Sequence, residues 1–191
     1  MLSSVTLDTG LGATDGRIKV YIANRPPYRD FLTSKALTAL CAGDIEQINR
    51  HGGNGWRKVF NVYAKLIFAW RSVDPRLHTQ LPGGACTSWQ AYRDQFLLQE
   101  SSQTSLLFSP PALEQQVTTD NHVYHIIMGR TYAKSLLADL ASDQNDSLNL
   151  IWHDNEFASD DAKRVVVCPY FDYRQLSNAK IMRLIELLQT Y

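Results

Sequence analysis

The chain has 191 residues, 45% of them hydrophobic and 20% charged, with nineteen basic residues balanced by nineteen acidic ones. This is the size and apolar content of one domain with its own core, and the zero formal charge excludes a polybasic binder while leaving room for a local basic cleft. Three dispersed cysteines, Cys41, Cys86 and Cys168, form no Cys-x-x-Cys pair, which argues for a reducing compartment over a disulfide scaffold. No apolar run reaches the ~18 residues of a membrane span, and the first residues carry no secretory pattern. A cytoplasmic protein without membrane contact is the expectation.

Residues 1–16 show no clear periodicity and are expected to be irregular. Arg17-Ile18-Lys19-Val20-Tyr21-Ile22-Ala23 alternates and fills with β-branched residues until Asn24-Arg25-Pro26-Pro27 stops it, so a strand ending in a tight loop is predicted. A helix is expected from about Tyr28 to Cys41, closed by Gly43, and a second short one from Asp44. The break His51-Gly52-Gly53-Asn54-Gly55 opens the clearest helix, whose stripe is Val59, Tyr63, Leu66 and Trp70 with Phe60 and Ile67; Asp74-Pro75 ends it. Thr87-Ser88 can cap a helix carrying Trp89, Tyr92 and Phe96. Then come strands at 104–109 and 123–128, and after Gly129 a helix with Ala133, Leu136, Leu137 and Leu140 inside. A polar turn at Ser142 to Ser147, a brief strand at Leu148 to Trp152, and an acidic surface loop from Asp154 to Lys163 precede the strand Arg164-Val165-Val166-Val167-Cys168. The last helix carries Ile181, Leu184, Ile185 and Leu188.

Short apolar strands alternating with helices predict an α/β fold: one three-layer domain with a short, mainly parallel central sheet flanked by helices. In such sheets ligands bind beyond the carboxyl ends of the strands. Those ends would be Asn24-Arg25-Pro26-Pro27-Tyr28, Ser109-Pro110-Pro111, Gly129-Arg130 and Cys168-Pro169-Tyr170-Phe171. The basic residues after them, Arg25, Arg130 and Arg174 above all, are expected to converge in one phosphate-binding cleft.

Other motifs have plainer readings. His122 and His125, three apart on a strand, face opposite sides and cannot grip one ion, so no metal is expected. Gly52-Gly53-Asn54-Gly55 lacks the preceding strand and the Lys-Ser/Thr of a P-loop and reads as an inter-helix loop. Cys168 is either a nucleophile with His153 as base or a small buried residue.

The order of these strand-end motifs resembles the uracil-DNA glycosylase superfamily. Ile22-Ala23-Asn24-Arg25-Pro26-Pro27-Tyr28 is similar to its water-activating loop, and Ser105-Leu106-Leu107-Phe108-Ser109-Pro110-Pro111-Ala112-Leu113 to the strand whose end reads the base edge. Ile126-Ile127-Met128-Gly129-Arg130-Thr131-Tyr132-Ala133 is similar to the Gly-ended strand and following helix. Val167-Cys168-Pro169-Tyr170-Phe171 through Leu176-Ser177 is similar to the loop that inserts into the duplex. The resemblance implies a glycosylase-like fold with Asn24 as the one catalytic candidate. It places Tyr28, Ser109, Cys168, Tyr170 and Phe171 around a pocket.

The sequence departs from the family where the chemistry is done. Position 168 has Cys where the family has His, position 109 has Ser where it has Asn, and only Asn24 stands in for the acid of the first loop. The expectation is therefore a diverged protein that handles DNA or a nucleobase-containing ligand, without standard uracil excision and without a cofactor. Alternatives are a non-catalytic protein-interaction domain on the same fold and an unrelated hydrolase using Cys168.

Overall fold

Four of the predicted apolar runs meet side by side in the middle of one sheet. The computed structural model describes residues 8–113, 123–140 and 148–191. Along the chain its elements are β1 (Gly10–Gly12), β2 (Ile18–Tyr21), β3 (Leu37–Thr38), α1 (Asp44–Val73), α2 (Pro75–Gln80), α3 (Trp89–Gln95), β4 (Thr104–Leu107), β5 (Tyr124–Met128), α4 (Arg130–Leu140), β6 (Ile151–Trp152), β7 (Ala158–Asp160), β8 (Val165–Cys168) and α5 (Asn178–Leu188). The strand order is β3-β1-β4-β2-β5-β8-β7-β6. β2 pairs in parallel with β4 and with β5, and β5 in parallel with β8.

The central strands are apolar on both sides because both sides are covered, as parallel sheets require. Ile18, Val20, Leu106, Ile126, Val166 and Cys168 face α1, α3 and α5. Tyr21, Leu107, Ile127, Val165 and Val167 pack with Ala133 and Leu136 of α4 on the opposite face. The predicted stripes of α1 and α5 are the buried ones. Burial decides these helices more than capping does. Each fully buried Leu or Ile contributes about 1.5–3 kcal/mol, so the α5 stripe outweighs the ~1 kcal/mol typical of a cap such as Ser177, which accepts from the Lys180 N–H. No helix among the described residues is long and apolar enough to cross a membrane.

The structure corrects several expectations. The sheet is mixed, since β1 is antiparallel to β4, and β7 is antiparallel to both β6 and β8. β1 is a buried strand inside a segment expected to be irregular. The expected helix from Tyr28 to Cys41 is a run of turns ending in β3, with Arg29 at φ 51. Asp44 does not stand at an N-cap; Gly43 does, and the Asp44 carboxylate accepts the Cys41 N–H and pairs with Arg29. Asp74-Pro75 ends α1 and also starts α2, because Asp74 caps and proline suits the first turn. The supposed acidic loop contains β7, whose Asp160 accepts N–H groups of Asn149 and Lys163. The polar turn at Ser142 to Ser147, and His122, lie outside the described residues.

One buried pair makes the fold sensitive to acid. The Tyr21 hydroxyl and His125 Nδ1 are 2.7 Å apart, and the two rings stack with centroids 5.7 Å apart. Burial lowers the His125 pKa to about 3, with the neighbouring Lys19 acting in the same direction. In the unfolded chain histidine takes a proton near pH ~6.5. The unfolded state therefore binds more protons below that pH, so the stability contributed by neutral His125 is complete above pH ~6.5 and falls as the pH drops toward 3. Urea midpoints are expected to decline through this window, and His125→Gln to flatten the decline. An unchanged slope in the variant would contradict this assignment.

Candidate functional site

Helix α1 runs antiparallel to the parallel strands, and this places its two ends at opposite edges of the sheet. Trp70, near its carboxyl end, packs edge-on against Tyr124 at the start of β5, ring centroids 4.8 Å apart. Nearer its beginning, Lys58 forms a 2.7 Å ion pair with Asp172 in the loop after β8. The amino-terminal part of α1 therefore stands at the rim where the parallel strands end. Across that rim Asn24, following β2, lies beside Tyr170, following β8. Burial raises the Tyr170 pKa, and the contact with Asn24 opposes it.

A polar cleft of about 400 Å³ opens here, lined by Asn54, Arg57, Lys58, Asn61, Tyr173 and Arg174. Asn54 of this lining directly follows Gly53, whose φ of 73 and ψ of −169 interrupt the helical path of α1. The other wall of the cleft is the loop between β8 and α5, turned by Asp172, which accepts the Arg174 N–H at 3.0 Å. That N–H, followed by Lys58, holds the Asp172 carboxyl below the usual carboxylate range. The charges are unequal. Lys58 has Asp172, whereas Arg57 donates to the Asn54 amide oxygen and Arg174 lies over Tyr173, its guanidinium carbon 5.9 Å from the ring centroid. Among the described residues neither arginine has a carboxylate within ion-pair distance. Tyr173 itself is 53% exposed and also faces Lys58. The cleft is cationic and walled by one half-exposed aromatic ring, with Lys58 and Arg174 over it.

The residues expected around a pocket divide. Asn24 is exposed at the rim, with Tyr170 half-buried beside it. Tyr28 is half-buried and packs against Phe31 and His51. Cys168 and Phe171 are fully buried in the core instead of lining a wall. The Cys168 Sγ donates to the Pro169 carbonyl, and burial pushes its thiol pKa far up. His153 shares its hydrogen bond with Ser159, so the two form no nucleophile–base pair. Ser109 Oγ accepts the Thr9 N–H, which spends it on the backbone.

The three arginines do not share one cleft. Arg25 donates to the Ser34 carbonyl at 2.6 Å and lies over Phe108, so it ties down the loop after β2. Arg130 donates to the Asn155 carbonyl and covers Trp152, bracing the β6–β7 turn. Only Arg174 lines the cleft, with Arg57 and Lys58 as the cations that sequence reading passed over. Their signal was two adjacent basic residues on the polar side of α1, one residue after the Gly52-Gly53-Asn54-Gly55 break.

Two glycines of that break are expected to behave oppositely when replaced by alanine. At Gly53 the backbone lies in a region nearly reserved for glycine, so Gly53→Ala should destabilise by about 1–3 kcal/mol although nothing crowds its Cβ. Gly55 is an exposed helical position with open space, and Gly55→Ala should stabilise by about 0.5–1 kcal/mol. Urea denaturation of both variants checks the pair, and equal effects would contradict the assigned kink.

Neither the curated proteins nor the solved structures provide a match to this chain. A model of a protein family of unknown function, DUF6942, matches residues 9–189, nearly the whole chain. The protein belongs to the DUF6942 family.

Proposed function

We propose that this protein binds nucleic acid at the carboxyl rim of its parallel strands, as a diverged, glycosylase-like domain without standard uracil excision. The observation that carries the reading is the cleft in which Arg57 and Arg174, without carboxylate partners among the described residues, flank the exposed ring of Tyr173. Backbone phosphates need cations that are not already neutralised, and bases need an open aromatic face on which to stack. Arg57 on α1 meets Arg174 and the 53% exposed Tyr173 in one cleft, and the loop after β8 that carries the last two resembles the duplex-inserting loop of the glycosylases.

The residues at the positions of the glycosylase chemistry argue against base excision. Removing one preorganised group that stabilises a developing anion typically costs about 10²–10³ in rate. Here the candidate leaving-group position holds a buried, protonated thiol, Cys168, and the candidate base-edge reader, Ser109, is committed to the Thr9 amide. Asn24 lies beside Tyr170 and is the single candidate left at these positions. Binding without this chemistry is the reading these placements support.

Fluorescence anisotropy with labelled single-stranded and duplex oligonucleotides, read against salt concentration, tests it. Affinity should fall log-linearly with salt, and Arg57→Ala or Arg174→Ala should each reduce the slope by about one contact. Tyr173→Ala should weaken single-strand binding by about 1–3 kcal/mol, whereas Arg130→Ala should leave binding unchanged. Absence of a salt slope would overturn the proposal. A uracil-containing oligonucleotide should survive incubation intact; robust turnover abolished by Asn24→Ala would overturn the loss of excision.

A further inference from the structure

The cationic surface does not end at the rim cleft. Arg57, Asn61 and Lys65 follow one another at intervals of four residues on α1, so they share one face of the helix. Asn61 lines the cleft, and α3 reaches that same residue from the other side. There Arg93 Nη1 donates to the Asn61 amide oxygen at 2.5 Å, and the Arg93 guanidinium carbon lies 5.7 Å from the Trp89 ring centroid. Lys65 Nζ is 5.1 Å from the same centroid. One polar surface therefore runs without a break from the loop after β8, across α1, to α3.

Charge along this surface is uneven. Arg57, Lys58, Lys65, Arg93 and Arg174 face two carboxylates, Asp172 on Lys58 and Asp94 on Arg93, each at 2.7 Å. Lys65 is half-buried, and among the described residues no carboxylate lies within ion-pair distance of it. The Trp89 ring holds its ammonium in place without neutralising it. Arg57 and Lys65 stand about 12 Å apart along the axis at 1.5 Å per residue. That is too far for one phosphate to bridge, and it suits successive phosphates of a polymer. The exposed ring of Tyr173 adds a second requirement, because a base can lie flat on it only where it is not stacked inside a duplex.

We propose that the ligand of the rim is a single strand, with one base on Tyr173 and its backbone following α1 to a distal phosphate contact at Lys65. This rests on the nucleic-acid reading of the rim and adds the strandedness, the path and the far contact. The full chain is titrated with an oligothymidylate of about twelve nucleotides, within the range of single-strand site sizes, and anisotropy is read against salt. Lys65→Gln keeps much of the side-chain stem beside Trp89 and removes the charge. It should lower the log–log salt slope by about 0.7, one single-strand phosphate contact, and Lys65→Arg should restore it. Asp94→Asn releases Arg93 and should tighten the long strand several-fold at low salt, a gain that misfolding cannot produce. A thymidine dinucleotide, whose single phosphate cannot span both ends, is followed by the ¹⁵N shifts of Tyr173 and Arg174. Its binding should be unchanged by Lys65→Gln and weakened by Arg174→Ala. Absence of a salt slope for the wild type would overturn the rim reading and this proposal together. A wild-type slope that Lys65→Gln leaves unchanged would overturn this proposal alone. So would a duplex of the same length bound as tightly as the single strand, or a dinucleotide weakened by Lys65→Gln.

Discussion

Val20, Ile126 and Val166 stand side by side on one face of the sheet, and Tyr21, Ile127 and Val167 on the other, all out of water. Strands buried on both faces need a layer of helix on each, and parallel pairing requires the chain to return to the starting edge between strands. The part of helix α1 after the Gly53 kink, about 30 Å long at 1.5 Å per residue, covers one face from the carboxyl rim to the amino edge. Its stripe of Val59, Phe60, Tyr63, Leu66, Ile67 and Trp70 is therefore both the core and the ruler that sets which polar residues reach each edge. Arg57 and Lys58 emerge at one end, and Arg71 is drawn inside at the other.

The electrostatics follow from how each cation is satisfied. Arg25, Arg29 and Arg130 are consumed by carbonyls, Asp44 and aromatic faces, and so hold loops in place. Arg57 and Arg174 are left facing solvent around Tyr173. In a chain of zero formal charge, such a local surplus is what separates a potential binding face from evenly mixed surface charge. Arg71 is the inverse case: it is buried, with the Gly83 carbonyl and the Tyr92 ring beside it.

How legible this was depended on the physical signal behind each element. β-branched runs such as Val165-Val166-Val167 and the three-four spacing on α1 and α5 report burial directly, and those elements stand where the pattern put them. β7 was hidden because Ala158-Ser159-Asp160 looks polar; its buried Asp160 and Ser159 are satisfied by local N–H and histidine partners that no periodicity encodes. The stretch from Tyr28 to Cys41 has enough apolar residues to suggest a helix, but Arg25 and Ser34 fold it back as turns through a side-chain to backbone bond. Strand ends were found, yet which of their side chains point outward was not. Cys168 and Phe171 turn into the core while Tyr173, two residues past Phe171, is open. The cleft needed the third dimension, since Arg57 and Arg174 lie far apart in sequence and meet only because α1 and the loop after β8 share the rim.

The central claim is that nucleic acid contacts the rim between α1 and the loop after β8. Amide hydrogen exchange of the full chain, with and without a short single-stranded oligonucleotide at low salt, tests this most directly. The account predicts slowed exchange confined to residues around Asn54–Asn61 and Asp172–Gln175, reversed by raising the salt. Protection centred instead on the loops held by Arg25 or Arg130, or no protection anywhere, would contradict it.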